Sequence, residues 1–155
     1  MSIFPTKILL ATDGSEEAAL ASQTAADVAE KTGLELHVVH VAYLLPMSSE
    51  LSYIASRVYE EAHEEAKQEA QKLLDEQVRM IQEGGGNVAD AHLRTGRPDE
   101  KVIRLSEELG VGLVAVGSRG LNPMRRALMG SVSDSVVRRA HCPVLVVRKE
   151  KTLKN

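Results

Sequence analysis

The sequence predicts an α/β domain, a parallel sheet with helices on both faces. Three observations carry this. Five short strand-like runs recur, at Lys7–Ala11, Leu36–Val41, Val88–Arg94, Leu113–Val116 and Val144–Val147. Stretches of helical periodicity separate them, and each stretch is bounded by capping or turn residues. Strict alternation of strand and helix requires a crossover between successive strands, which makes the sheet parallel and covers both its faces. At 155 residues, 43% apolar and 26% charged, one domain over 1–155 is expected, with a core of about 6–147 and a basic, fraying tail at 148–155.

The elements follow in order. Lys7–Ala11 reads as a buried strand, and Thr12-Asp13-Gly14-Ser15 as the turn after it. Ser15 is an N-cap candidate, with Glu16 and Glu17 where the helix dipole favours acids; the helix runs to about Lys31 and Gly33 stops it. Its stripe of Ala18, Ala21, Ala25, Val28 and Ala29 is small and allows close approach to a sheet. In the second strand His37 and His40 fall on opposite faces, so a shared metal is not expected. After a loop at 42–50, a long helix from about Leu51 to Glu83 carries the stripe Leu51, Ile54, Val58, Ala62, Ala66, Ala70, Leu73, Val78 and Ile81. Its acidic face, including Glu60, Glu61, Glu64, Glu65 and Glu69, reads as solvated, and Gly84-Gly85-Gly86 as a stop.

Val88–Arg94 alternates, with Ala89, Ala91 and Leu93 against Asp90, His92 and Arg94, as an edge strand with one wet face does. Arg97-Pro98-Asp99-Glu100 opens the next helix with Pro at N1; Val102, Ile103 and Leu105–Leu109 give its core face, and Gly110 ends it. Gly110-Val111-Gly112-Leu113-Val114-Ala115 fits a dinucleotide fingerprint in letters only, because its glycines follow a helix and open a strand. A last helix, Ser131–Ala140, leads to the strand Val144–Val147.

Composition removes several function classes. A net charge of −3 gives no pull toward nucleic acid or anionic membrane, and three tyrosines with one phenylalanine make no base-stacking platform. No apolar run approaches a membrane span, no export signal is read, and the lone Cys142 fits a reducing cytoplasm. Cys142 reads as a structural thiol.

The most informative stretch is Val116–Ser133, where a Gly-rich loop joins a buried strand to a helix start. The first N–H groups of a helix lack partners and the dipole favours negative charge there, so this geometry suits an anionic ligand. Ser131 and Ser133 can cap the helix or donate to phosphate oxygens, and Arg119, Arg125 and Arg126 can pair with phosphates.

Gly117, Gly120, Gly130 and Ser131 fit G-x2-G-x9-G-(S/T) in full. With T-D-G-S after the first strand, H-V-V-H-V in the second and C-P-V-L-V-V near the end, the chain resembles the ATP-binding branch of the universal stress protein family over about 6–147. The resemblance implies the strand order 3-2-1-4-5 in a Rossmann-like sheet, with the ligand crevice between strands 1 and 4. It implies that Gly117, Gly120, Gly130 and Ser131 cradle phosphates, with Val132 and Ser133 presenting N–H or hydroxyl groups. It places Asp13 near the ribose and adenine, and the end of strand 2, Val41, against adenine. Thr12 and Arg119 join the site, as does Ala11, which stands where some relatives have proline. Mg²⁺ is expected to come with ATP, held by phosphates and water. A homodimer through the apolar edge Val144–Val147 is implied as well.

The expected function is an ATP-binding regulatory module of the stress response, with slow hydrolysis at most and no catalytic residue assigned. An ATPase or phosphotransfer enzyme, and a structural dimer without nucleotide, are the alternatives. ATP, ADP, AMP and cyclic nucleotides stay open as ligands.

Overall fold

The computed structural model describes residues 6–44, 52–119 and 130–149. The elements are β1 (Lys7–Ala11), α1 (Glu16–Thr32), β2 (Glu35–Ala42), α2 (Tyr53–Glu83), β3 (Val88–Thr95), α3 (Pro98–Leu109), β4 (Leu113–Gly117), α4 (Ser131–Arg139) and β5 (Val144–Val147). Every ladder is parallel, and the order is β3-β2-β1-β4-β5. That is the order the resemblance implies.

β1 lies at the centre, and its alternating side chains build two cores. Ile8 and Leu10 face one way with Leu36, Val38 and Ala115, against Ala21, Ala25 and Ala29 of α1 and Leu74 and Ile81 of α2. Leu9 faces the other way with Val39, Val41, Val114 and Val116, against Val102, Ile103 and Leu105 of α3 and Val136 of α4. The alanine stripe lets α1 sit close to the sheet, and that closeness matters at Gly117 below.

The ends of the helices follow local chemistry. Ser15 Oγ accepts the Ala18 N–H at 3.2 Å and caps α1, while Gly33 ends it in the left-handed region. Pro98 occupies the first turn of α3 and Gly110 closes it. Gly110 and Gly112 then precede β4, so the fingerprint-like stretch enters a strand.

Two expectations need correction. The first half of the α2 stripe is not core: Ile54 and Val58 are 74% and 60% exposed, and burial begins only at Ala70. The reason is length. The 31 residues of α2 span about 46 Å at 1.5 Å per residue, against about 26 Å for an eight-residue strand, so the helix outruns the sheet. β3 is an edge strand as expected, but Ala89 and Ala91 are as exposed as Asp90. Its register shifts opposite Leu36 and His37, which pair with Val88 and Asp90, and the extra residue breaks the alternation. Leu51, and residues 150–155 of the tail, lie outside the described residues.

Candidate functional site

β1 and β4 are neighbours, yet the helices that follow them pack on opposite faces of the sheet. The chain therefore parts at their carboxyl ends and leaves a crevice there. A cleft of about 860 Å³ occupies that position. Ten of the eleven residues expected at the site line it: Ala11, Thr12 and Asp13 after β1; Val41 on β2; Gly117 and Arg119 after β4; and Gly130, Ser131, Val132 and Ser133 at the start of α4. Gly120 lies outside the described residues, as do Arg125 and Arg126.

On the β1 side the turn is tightly bonded. The Thr12 N–H donates to Val39 O at 2.9 Å, and Asp13 Oδ1 accepts the Ser15 N–H at 2.9 Å. His40 Nδ1 lies 2.8 Å from Thr12 O; a carbonyl only accepts, so Nδ1 carries the proton. β1 ends opposite Val39, while β2 continues to Ala42. Along a strand the backbone polar groups point alternately to either side. Val39 O bonds toward β1, and Ala42 O bonds toward the β3 side by accepting the Gly96 N–H at 2.9 Å. The N–H and C=O of Val41 thus project toward the β1 side, past the point where β1 has ended.

On the β4 side the neck of the Gly-rich loop is closed. Ser118 O accepts the Gly130 N–H, and Ser133 Oγ lies 3.0 Å from both Ser118 O and Gly130 O. The serines therefore do not cap α4. Gly130 is the N-cap residue at φ −70°, with no side-chain cap bond, and Ser131 opens the helix. The Ser133 hydroxyl is buried and serves the neck, so what Ser133 offers the cleft is its N–H. The first intrahelical bond runs from the Asp134 N–H to Gly130 O, and the N–H groups of Ser131, Val132 and Ser133 have no acceptor within the helix.

Gly117 has a reason to be glycine that sequence spacing does not show. A Cβ there would lie 2.8 Å from Glu17 C and 3.0 Å from Glu17 O and Ala18 N. It is the backbone of α1 that crowds this position, and no side-chain rotation relieves such a contact.

The remaining walls went unread in the sequence. α2 contributes Glu69, Ala70 and Leu73, and the start of α3 contributes Arg97 and Asp99. Asp13 is thus joined in the cleft by two further acids, Glu69 and Asp99. Asp99 is 6% exposed and accepts from Arg97 Nε at 3.0 Å, Ser135 Oγ at 2.8 Å and Arg139 Nη1 at 3.4 Å. Burial works against its ionisation, but the Ser135 hydroxyl, the Glu100 N–H and the two guanidinium groups outweigh it and hold Asp99 below the usual carboxylate range. Arg97-Pro98-Asp99 read only as a helix start because its partners on α4 are about forty residues away.

His37 and His40 lie on opposite faces of β2, and of the two only His40 lines the cleft. His37 instead meets His92, Nδ1 to Nε2 at 3.2 Å, and Glu35 at 3.3 Å. Among the described residues no group of three His, Cys, Asp or Glu side chains is arranged to hold a metal ion. Burial pushes the Cys142 thiol up, away from the nucleophilic thiolate. No helix among the described residues is long and apolar enough to cross a membrane.

Known proteins resemble this chain in sequence and in fold. Residues 5–148 match the model of the universal stress protein family. The universal stress protein YxiE of Bacillus subtilis is 32% identical over 146 residues, covering 92% of this chain and 98% of the relative. Among solved structures, the universal stress protein UspA of Lactobacillus plantarum superposes with a TM-score of 0.79 at 22% identity, covering 92% of this chain and 97% of the other. An Archaeoglobus fulgidus universal stress protein in complex with dAMP has a TM-score of 0.63 at 22% identity, over 94% of this chain and 99% of the other. An Arabidopsis thaliana family member with AMP bound has the same TM-score and identity, over 94% and 93%.

Proposed function

The chain belongs to the universal stress protein family, and on that premise we propose that its cleft binds an adenine nucleotide, ATP with Mg²⁺, as a regulatory module with slow hydrolysis or none. The convergence of Asp13, Val41, Gly117 and Gly130–Ser133 on one cleft carries this reading, since they come from segments up to about 120 residues apart. A cleft of about 860 Å³ lies in the usual range for small-ligand sites, roughly 300–1,000 Å³.

Each end of the cleft offers what one end of the ligand needs. The first-turn N–H groups of α4, at the positive end of its dipole, receive the phosphates, and Arg119 adds a cation beside them. The Val41 N–H and C=O together complement the acceptor and donor on the six-membered ring of adenine. Asp13 lies between, on the ribose side. Mg²⁺ enters with the phosphates and keeps water ligands, and it supplies charge neutralisation when bound. The dAMP and AMP complexes of the two structural relatives support adenine as the base.

Slow turnover is supported by the engagement of two of the three acids that line the cleft, Asp13, Glu69 and Asp99. One Asp13 oxygen holds the Ser15 N–H, and Asp99 is held between Arg97, Arg139 and Ser135. Neither is poised as a general base for an attacking water. The protein acts as a homodimer, in the reducing cytoplasm that its lone Cys142 fits: among the described residues β5 pairs with β4 alone, and four apolar residues on that edge favour pairing with a second copy.

The test combines two measurements. Acid denaturation followed by chromatography identifies any nucleotide carried through purification, and calorimetry titrates nucleotide-free protein with Mg·ATP. One ATP site per chain is expected. No carried nucleotide and no heat at millimolar ATP would overturn the reading, and near-stoichiometric ADP would replace slow turnover with active hydrolysis.

A further inference from the structure

Ser118 does not line the cleft, yet the neck of the Gly-rich loop is built on it. It is 4% exposed, and each of its polar groups goes to a different element. Its N–H donates to Val147 O at the end of β5, at 2.8 Å. Its C=O accepts from Gly130 and Ser133 at the start of α4. Its hydroxyl donates to Glu17 Oε2 on α1 at 3.0 Å. The same Glu17 oxygen accepts the backbone N–H of Lys149, just beyond β5, at 2.9 Å. The Lys149 ammonium lies 2.9 Å from Glu16. The close approach of Gly117 to the backbone of Glu17 holds these groups at fixed separation.

The start of α4 and the end of the edge strand are thus one hydrogen-bonded unit. We propose that the Glu17–Ser118 pair links nucleotide occupancy of the cleft to self-association through β5, so that each strengthens the other. This rests on the reading of the cleft as a nucleotide site. Phosphate on the first turn of α4 fixes Gly130. Gly130 fixes Ser118, and Ser118 with Glu17 fixes Val147 and Lys149. A strand end that is already ordered loses less conformational entropy when a second copy pairs with it. Linkage makes the effect reciprocal: whatever factor ATP applies to the dimer constant, dimerisation applies to ATP affinity. Glu17 is a positioning residue in this scheme, since it touches neither the cleft nor the open side of the strand.

Sedimentation equilibrium of the full chain, with and without saturating Mg·ATP, measures the factor. ATP is expected to tighten the dimer about 5-fold or more, the lower end of ordinary allosteric coupling. Glu17→Ala should bring the factor below about 2-fold while ATP binding and dimerisation both persist. Glu17→Gln, which keeps an acceptor oxygen, should retain it. Lys149→Pro removes the backbone N–H that Glu17 accepts, and with it the exposed ion pair to Glu16 that Lys149→Ala removes alone; the difference between the two variants tests the same link if Glu17→Ala folds poorly. ATP binding without change in the dimer constant overturns the proposal, as does a chain that stays monomeric throughout, or a factor untouched in Glu17→Ala and Lys149→Pro. Absence of ATP binding by calorimetry overturns the cleft reading itself, and is told apart by that measurement.

Discussion

Replacing Gly117 by alanine separates two reasons for a glycine at the end of β4. If the residue is glycine only so that phosphate can approach, Gly117→Ala weakens nucleotide binding and leaves the nucleotide-free fold untouched. The structure favours a different outcome. The new methyl would sit 2.8–3.0 Å from three backbone atoms of Glu17 and Ala18, where carbon contacts prefer about 3.5–4.0 Å. The first turn of α1 must then retreat from β4 by about half an ångström or more, and the Ser118–Glu17 bond moves with it. Overpacking of this kind costs about 1–3 kcal/mol. For a chain of this length each kcal/mol lowers Tm by about 2–4 °C, so a mid-range cost of about 2 kcal/mol is a fall of about 4–8 °C. Urea and thermal melts of nucleotide-free wild type and Gly117→Ala measure it. A difference below about 0.5 kcal/mol, the scatter of an ordinary surface substitution, would refute the packing argument.

Two further outcomes are expected. Ser133→Ala removes the hydroxyl that clips Ser118 O and Gly130 O, and should cost about 1–2 kcal/mol and weaken ATP several-fold although the hydroxyl touches no ligand; unchanged melts would show that the neck does not depend on it. Burial, reinforced by His37 and Arg94 against the opposing pull of Asp90, holds His92 below its ordinary value. The stability from its neutral form is therefore complete above about pH 6.5 and is lost as pH falls from there through the folded-state value. The Tm of wild type should drop more between pH 7.5 and 5.0 than that of His92→Gln; equal drops would dismiss His92 as the source.

Much of this architecture was legible where chemistry is local. Ser15 caps α1, Gly33 and Gly110 end helices in the left-handed region, and Pro98 opens α3, because each depends on neighbours within a few residues. Strand order is not local and came from resemblance. The periodicity of α2 marks one apolar stripe, but periodicity carries no information about how far the sheet extends beneath it, and so the exposure of Ile54 and Val58 within that stripe was not legible. The cleft residues entered as a set through the family resemblance, which the long, ordered Gly/Ser spacing carries most strongly. Their individual duties were not. The Ser133 hydroxyl, the crowding at Gly117 and the Asp99 cluster all depend on contacts with residues 15 to about 100 positions away.

The step where β2 runs on past the end of β1 has a genetic consequence. What Val41 turns toward the cleft is main chain, identical for nearly every side chain that could stand there. On the proposed reading an alanine scan is blind to such groups: Val41 is also a core residue, but among variants that still fold position 41 would return as tolerant on any assay of base preference, proline excepted because it removes the N–H. Base preference written in this way drifts little under substitution. It changes when a residue is inserted or deleted in β1 or β2, which moves the step itself.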